Sequence, residues 1–557
     1  MTSEPSVAAT TDAPASSGGV RSRVSSSLTN AATALAITGA GGFLRFWRLG
    51  SPHSIVPLDE TYYAPNSFGY LCHGTDMSFK AGAAHTCAGL EPTFAVHPQV
   101  GKELMAAGIK IFGYRPFGWR FAPAIVGTLA ILVVYGIARR LWPDKRWPAA
   151  AAATLVAVDG LEFVQSRLAM LDIFVMFFIL LGVWLMLVDR DHAYGWTGPR
   201  WWRLGAGVAF GLAVSSKWAA IPLLPVVAAI ALAWEVVRIR DTRTAALTKP
   251  PPDPVPASEI LAPATPEMLG GEEAFWRPSQ PAARPPRTFP AILRQTLEIF
   301  ATFLIIPALV YLGSYTPWFL STKRYVPPRC NDVVTVGSVA HSKPKAGMAL
   351  WLCDQKEIFD YHRNLKATDD KGNPIHPYMS RAWSWPWISR PASHYFKSYC
   401  IPNPKQSPCP AAQTRDEEIL GLPNPAIWWI GFFVALPGLF YLMIRRRDDV
   451  AALLIVLFAP LVIPWLIYSR PIFMFYMTPA TPLLGLMVVH AIKSLKLRWA
   501  AVGFVAIAIT FFGYFYPVMA AYPLPPNGAF GWNSRIWYGH AIRGDCTSAG
   551  IKLLCWI

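Results

Sequence analysis

The sequence predicts an all-α polytopic membrane protein, and three observations carry that reading. Hydrophobic residues fill 53% of the 557 positions and charged residues only 15%, where a soluble domain carries about 25% charge. Uncharged apolar stretches of the length a helix needs to cross a bilayer recur along most of the chain. The excess of 50 Lys and Arg over 33 Asp and Glu gathers at the ends of those stretches, as membrane insertion requires, rather than on one basic face suited to nucleic acid. A disordered chain, a collagen-like chain and an ordinary cytosolic enzyme are excluded together.

About eleven stretches fit a spanning helix: 28–47, 117–138, 147–164, 171–188, 203–216, 218–236, 295–316, 425–444, 450–468, 472–492 and 499–520. In 147–164 and 203–216 Ala and Gly dominate, and one of the two suits a shorter or re-entrant segment. Translocation of cationic loops is disfavoured, so the loops rich in Lys and Arg are expected in the cytoplasm. These carry Arg139, Arg140, Lys145 and Arg146, then Arg190, Arg200 and Arg203, then Arg445 to Arg447, then Lys493, Lys496 and Arg498. The N-terminus is then inside. The short outer loops hold almost nothing cationic but Arg167, Lys217 and Arg470, while Arg45 and Arg48 are expected to snorkel from the end of the first span.

The layout follows. Residues 1–27 form a disordered cytoplasmic tail, and 28–236 an N-terminal transmembrane module with a first outer loop at 48–116. Residues 237–294 form a cytoplasmic linker, whose core at 241–290 holds twelve prolines and cannot bury enough apolar surface to fold. Residues 295–520 form a C-terminal module with a large outer loop at 317–424, and 521–557 an outer tail. All eight cysteines fall in outer regions, as Cys72 and Cys87, Cys330 and Cys353, Cys400 and Cys409, Cys546 and Cys555. An even count confined to one compartment points to disulfides in an oxidising space, although spacing leaves the pairing open.

Several ionisable residues stand where the membrane makes them costly. Asp59 and Glu60 directly follow the first span, and as a lone motif they suit a helix cap or surface solvation as well as chemistry. His97 and Lys102 lead into an amphipathic stretch, Glu103 to Phe112, able to lie on the membrane surface and cover a site. Asp172 opens the fourth span, where an acid is functional by default or paired, with Arg167 as the neighbouring partner. Arg120 and Lys217 sit at span ends, where snorkelling is the plain alternative. By the topology Asp59, Glu60, Arg120, Arg167, Asp172, Lys217 and Arg470 all meet at one membrane face. Cations at the lipid boundary beside carboxylates are what a lipid-phosphate substrate needs. There is no phosphate-binding Gly-rich loop, no Cys/His zinc spacing and no internal repeat of the kind a transporter shows.

In this order and topology the motifs resemble the bacterial protein O-mannosyltransferases of the GT-C glycosyltransferase class, in their actinobacterial form. The resemblance rests on Asp59-Glu60; on His97-Pro98 with Gly101-Lys102, where Gln99 replaces a usual second Pro; and on Arg120 with Pro123 and Gly127. It continues through Ser166-Arg167 to Asp172, Ser216-Lys217-Trp218, His376-Pro377-Tyr378, Trp385-Pro386, Arg390-Pro391, Asn424-Pro425 and Arg470-Pro471 with Phe475-Tyr476. It implies a GT-C fold with amphipathic helices in the first outer loop, and transfer of mannose from polyprenyl-phosphate mannose to Ser or Thr hydroxyls of secreted proteins. Another GT-C enzyme, acting on a lipid or polysaccharide, is the nearest alternative, and a flippase a remote one.

Under the resemblance Asp59 is the general base, with Glu60 assisting; Arg120, Arg167, Asp172, Lys217 and Arg470 bind donor phosphate and sugar; and His97, Lys102, His376 and Tyr378 position the acceptor or the loops. Trp-rich segments of the large loop serve equally as interfacial anchors. No cofactor or metal is expected, although an acidic pair is compatible with a divalent ion. The implied setting is the plasma membrane with an extracytoplasmic site, the partners being the lipid-linked donor, secretory proteins, membrane lipids and the secretion channel, without nucleic acid.

Overall fold

The computed structural model describes residues 18–193, 199–248, 288–336, 339–371 and 375–538. Apolar composition and the need to satisfy backbone polar groups inside a bilayer make helix the dominant element. In chain order the helices are α1 (Gly18–Phe46), α2 (Glu60–His73), α3 (Val100–Phe112), α4 (Pro116–Leu141), α5 (Trp147–Ala157), α6 (Gly160–Gln165), α7 (Asp172–His192), α8 (Trp201–Ser216) and α9 (Leu223–Thr248). There follow α10 (Phe289–Leu320), α11 (Gly347–Asn364), α12 (Pro425–Arg446), α13 (Asp449–Ile467), α14 (Thr481–Ser494) and α15 (Arg498–Met519). Among the described residues seven helices are long and apolar enough to cross a membrane: α4, α7, the helix over Trp218–Ala245, α10, α12, α13 and α15.

Of the remaining expected spans, 28–47 falls in the single helix α1, which is not among the seven, and the other three are shorter or broken for local reasons. Residues 147–164 form two helices, α5 and α6, broken at Val158-Asp159. Asp159 caps α6 by accepting from the Glu162 N–H at 3.1 Å, and Asn424 donates its side-chain amide to Val158 O at 3.0 Å and Ala508 O at 2.8 Å. A polar side chain from another helix thus satisfies carbonyls near the break. Within 472–492 the regular helix starts only at Thr481, because Pro479 and Pro482 lack the N–H that would extend it backwards. The stretch 203–216 is one short helix of 16 residues.

The expectation of an all-α chain needs correction. Three two-stranded antiparallel sheets stand in the loops and pair β1 (Met77–Phe79) with β2 (Leu90–Pro92), β3 (Asn331–Val336) with β4 (Val339–Pro344), and β5 (Ser393–Cys400) with β6 (Thr414–Leu420). Outside a bilayer, segments rich in Val, Tyr and Phe can pair as strands. Disulfides join Cys72 to Cys87, Cys330 to Cys353 and Cys400 to Cys409, whereas Cys546 and Cys555 lie outside the described residues.

Helix α7 is the central pillar, packed against α4 and α8, and its residues from Ile173 to Met176 are fully buried. At its end near Arg190, Asp189 accepts from Arg200 at 2.6 Å and Arg203 at 3.1 Å, and Glu235 pairs with Arg200, Arg203 and Arg238. That network stitches α7, α8 and α9. At the opposite end lie the loops 48–116 and 317–424, with α2 and α3 packed together and α3 on α4. Helix α3 buries Met105 and Ile109 and exposes Lys110 and Ile111.

Two of the expected cationic roles change. Arg45 does not snorkel: it is fully buried and pairs with Glu162 of α6, a partner hidden inside what reads as an apolar stretch. Asp172 pairs with Lys217, not with Arg167.

Candidate active site

The loop that carries Asp59 is built around a buried ion pair. Arg120 of α4 donates from Nε to Glu60 Oε1 at 2.9 Å and from Nη2 to Oε2 at 2.7 Å, with both side chains out of contact with solvent. Its remaining donors reach the carbonyls of Leu49, Ser51, Pro52 and Ser54 at 3.2 to 3.3 Å. Glu60 also accepts from the N–H groups of Val56 at 2.8 Å and Ala169 at 3.2 Å. Arg120 and Glu60 therefore spend their polar atoms on each other and on the backbone. Two positions before Glu60, Leu58 is held at φ 74°, a conformation costly for a bulky side chain and common where surrounding structure fixes a functional residue.

Asp59 is half-buried at the start of α2, yet its side chain caps no backbone N–H. Burial pushes its carboxyl up to about 6; Lys217 opposes this and Asp172 adds to it. Those two residues form the facing wall. Helix α8 stops at Ser216, the chain turns extended at Lys217 with φ −164°, and Lys217 Nζ lies 2.8 and 3.0 Å from the Asp172 carboxylate oxygens. Asp172 opens α7, where the helix dipole favours a negative charge. The same ammonium stands 4.4 Å from the centre of the Tyr476 ring.

Arg470 completes that wall. Its guanidinium lies 6.0 Å from the Tyr476 ring centre and 5.9 Å from that of Trp465, and its Nε is buried without a hydrogen-bond partner among the described residues. An orphaned buried donor of a cation costs free energy until an acceptor meets it. His97 stacks on His362 of α11 at 4.9 Å and approaches Tyr63 at 6.3 Å. Burial holds the His97 imidazole well below its ordinary value, with Lys217 and His362 acting the same way. Lys102 is buried; it pairs with Asp76 and donates to His97 O at 2.8 Å, so it fixes the His97 turn.

The structure thus gathers Asp59, Asp172, Lys217, His97 and Arg470, and leaves others apart. Arg167 donates to the carbonyls of Leu44, Arg45, Trp47 and Arg48 at 2.7 to 3.3 Å, capping the end of α1 from a distance. His376 packs its ring on Phe473 at 5.3 Å and accepts the Tyr378 N–H at 3.2 Å. With Ser380 N–H on Ile472 O at 3.1 Å, His376 and Tyr378 brace the turn after Arg470. Sequence reasoning missed His362, which sits on helix α11 of the large loop, and Asp76; a lone His or Asp there carries no signal. Among the described residues no group of three His, Cys, Asp or Glu is arranged to hold a metal ion.

Comparison with known proteins finds relatives along most of the chain. Residues 35–250, which run from the end of α1 through α9 and include Asp59 to Lys217, match the profile of the dolichyl-phosphate-mannose-protein mannosyltransferases. A polyprenol-phosphate-mannose–protein mannosyltransferase of Mycobacterium tuberculosis is 30% identical over 530 residues, covering 88% of each chain. Its counterpart from Mycolicibacterium smegmatis is 29% identical over 538 residues, 90% of this chain and 91% of the relative. The solved structure of the Saccharomyces cerevisiae protein O-mannosyltransferase Pmt1-Pmt2 complex bound to the sugar donor superposes with a TM-score of 0.62 at 13% identity, covering 88% of this chain and 90% of that one. Matched to a protein mannosyltransferase at 30% identity over 88% of its length, the chain belongs to the protein mannosyltransferase family.

Proposed function

We propose that the protein transfers mannose from a polyprenyl-phosphate mannose to Ser or Thr hydroxyls of proteins leaving the cytoplasm, with inversion at C1. The single observation that carries this reading is an acid with an uncommitted carboxylate, Asp59, within the field of the Lys217 ammonium, while Arg470 meets the same Tyr476 ring as Lys217. Asp59 takes the hydroxyl proton as the acceptor oxygen forms its bond to C1. The bond from C1 to the phosphate oxygen breaks on the opposite side, and the electron pair leaves with the phosphate. The transition state is oxocarbenium-like, so the hydroxyl becomes acidic only as the new bond forms and a carboxylate suffices.

The leaving phosphate is stable as an anion and needs charge stabilisation rather than a proton. Lys217 and Arg470 supply it, and Asp172 orients Lys217. Arg120, Arg167 and Glu60 act on the backbone instead of the substrate. The cation-rich loops and the cysteine distribution support a plasma-membrane setting with Asp59 on the extracytoplasmic side. The donor named for the relatives, a polyprenol-phosphate mannose, supports a lipid phosphate over a soluble sugar nucleotide.

The test is transfer of hexose from synthetic polyprenyl-phosphate mannose to a Ser/Thr/Pro-rich peptide by purified protein, read by mass spectrometry. Wild type labels the peptide, and Asp59→Asn loses at least about a thousandfold in rate, within the range of a lost general base, with expression and donor binding retained. Near-normal turnover by Asp59→Asn removes the base assignment; peptide left unlabelled while free mannose is released moves the acceptor to another class.

A further inference from the structure

His362 belongs to neither of the loops that carry the acid and the lysine. It lies near the end of α11, in the large loop, and its ring bridges the first outer loop at Val96 and the turn that carries Arg470. Its Nε2 lies 2.9 Å from Val96 O and its Nδ1 2.9 Å from Arg470 Nη1. A carbonyl only accepts and a guanidinium only donates. The ring is therefore neutral, with hydrogen on Nε2 and a lone pair on Nδ1 aimed at Arg470. Burial pushes this imidazole down to about 4, with Arg470 acting the same way, which keeps that lone pair available across the neutral range. One face stacks on His97 at 4.9 Å and Trp218, next to Lys217, lies 6.4 Å away.

Arg470 has no acid partner among its described contacts, so His362 is what fixes one edge of its guanidinium. The opposite donor, Nε, stays unmatched. We infer that His362 is a positioning residue: it holds Arg470 by Nη1 so that the rest of the guanidinium is presented beside Lys217 to the phosphate of the lipid donor, and it thereby makes the large loop part of the donor site. The inference rests on the proposed donor, since it needs a phosphate at Arg470. A pre-oriented planar donor set favours phosphate over a freely rotating cation.

Asparagine places an acceptor where Nδ1 stands but cannot reach Val96, whereas alanine lacks both contacts. Binding of polyprenyl phosphate to purified protein, and steady-state transfer, are measured for wild type, His362→Ala, His362→Asn, Arg470→Ala and the His362→Ala/Arg470→Ala double variant. A hydrogen bond to a charged group corresponds to roughly ten- to a hundredfold in affinity. His362→Ala is expected to weaken polyprenyl phosphate and raise donor KM by about tenfold or more, with peptide KM unchanged. In the Arg470→Ala background the same change adds less than about twofold, and His362→Asn recovers most of the loss.

Equal effects of His362→Ala with and without Arg470, or unchanged donor binding, overturn the positioning role. So does a loss seen only as lower melting temperature with normal donor KM, the outcome of a purely structural histidine. If wild type binds polyprenyl phosphate but transfers no mannose, the proposed reaction falls while the binding cycle still decides for or against His362. If wild type does not bind polyprenyl phosphate, both fall.

Discussion

At the residue scale the site divides ionisable groups into those that frame and those that face substrate. Glu60 and Arg120 fill each other's hydrogen-bonding capacity, while Asp59, one position away, is left open in a setting that burial makes costly for its charge. The sign of that cost gives a pH dependence. A base must be unprotonated, and burial moves the carboxyl from an ordinary value of 3.8 up to about 6. The kcat/KM for transfer is therefore expected to fall about tenfold per pH unit below about 6 and to level off above it. A profile flat down to pH 4.5 at constant folded fraction counts against Asp59. The same shift means the folded protein holds a proton that the unfolded chain releases between about pH 4 and 6, so ionisation of Asp59 lowers stability as pH rises through that window. Asp59→Asn should thus melt no lower than wild type at pH 7.5 while being inactive, the pattern of a residue kept for chemistry at a cost in stability.

At the element scale, irregular helices are tied by buried polar pairs. Arg45 of α1 and Glu162 of α6 meet with neither exposed, and removing one partner strands the other. Arg45→Met or Glu162→Met alone is expected to cost about 3–5 kcal/mol, whereas the double replacement costs much less. A double-mutant cycle on thermal or denaturant unfolding in detergent reads this directly; additive losses would show that the pair is uncoupled. Helix α11 brings a second case. Burial pushes the Asp354 carboxyl up to about 7; Asp76 and Glu357 add to this and Lys102 opposes it. Stability associated with neutral Asp354 is complete below about 4 and lost as pH rises towards 7. Asp354→Asn should therefore raise the melting temperature at pH 8 more than at pH 5; an equal shift at both values would locate the effect elsewhere.

These elements also show what the sequence can and cannot disclose. Long runs of one character, as in α7, α13 and α15, announce themselves by length and hydropathy. The break at Asp159 does not, because what makes it tolerable is Asn424, whose amide arrives from another helix 265 positions later. Arg120 and Arg167 read as phosphate ligands because a cation near lipid has that meaning on its own; only their contacts reveal that backbone carbonyls occupy them. Asp59, Lys217 and Asp172 were legible because each stands at the end of a span. His362 was not, since its importance comes entirely from the two loops it touches.

At the scale of the whole molecule, the two ends of the bundle differ in chemistry. One end carries the Arg–Asp–Glu network of α7, α8 and α9; the other carries hairpins, disulfides and the site. The cationic loops predict that the first end faces the cytoplasm. Fusion of a fluorescent protein within 241–290 should yield a cytoplasmic signal, and alkaline phosphatase inserted near residue 405 should be active only if 317–424 is exported. The reverse pattern would invert the orientation and place the site inside. Peptide mapping of unreduced protein should recover the links Cys72–Cys87, Cys330–Cys353 and Cys400–Cys409 without scrambling.

The end of α1 is completed by the residues that follow α15. Trp47 donates to the Tyr522 hydroxyl across 475 positions at 2.9 Å, and Arg48 reaches Ala521 O at 3.3 Å and stacks over the Tyr522 ring at 4.2 Å. On the ribosome, the turn that leads to Asp59 is thus exposed long before the residues that cover it have been made. Maturation of the site must wait for release of nearly the whole polypeptide, so nascent chains stopped before α15 should remain catalytically silent and depend on the insertion machinery for protection. A separately produced segment from α12 onward, supplied to such a truncated chain in the same membrane, gives the missing cover in trans and makes the order of assembly an experimental variable.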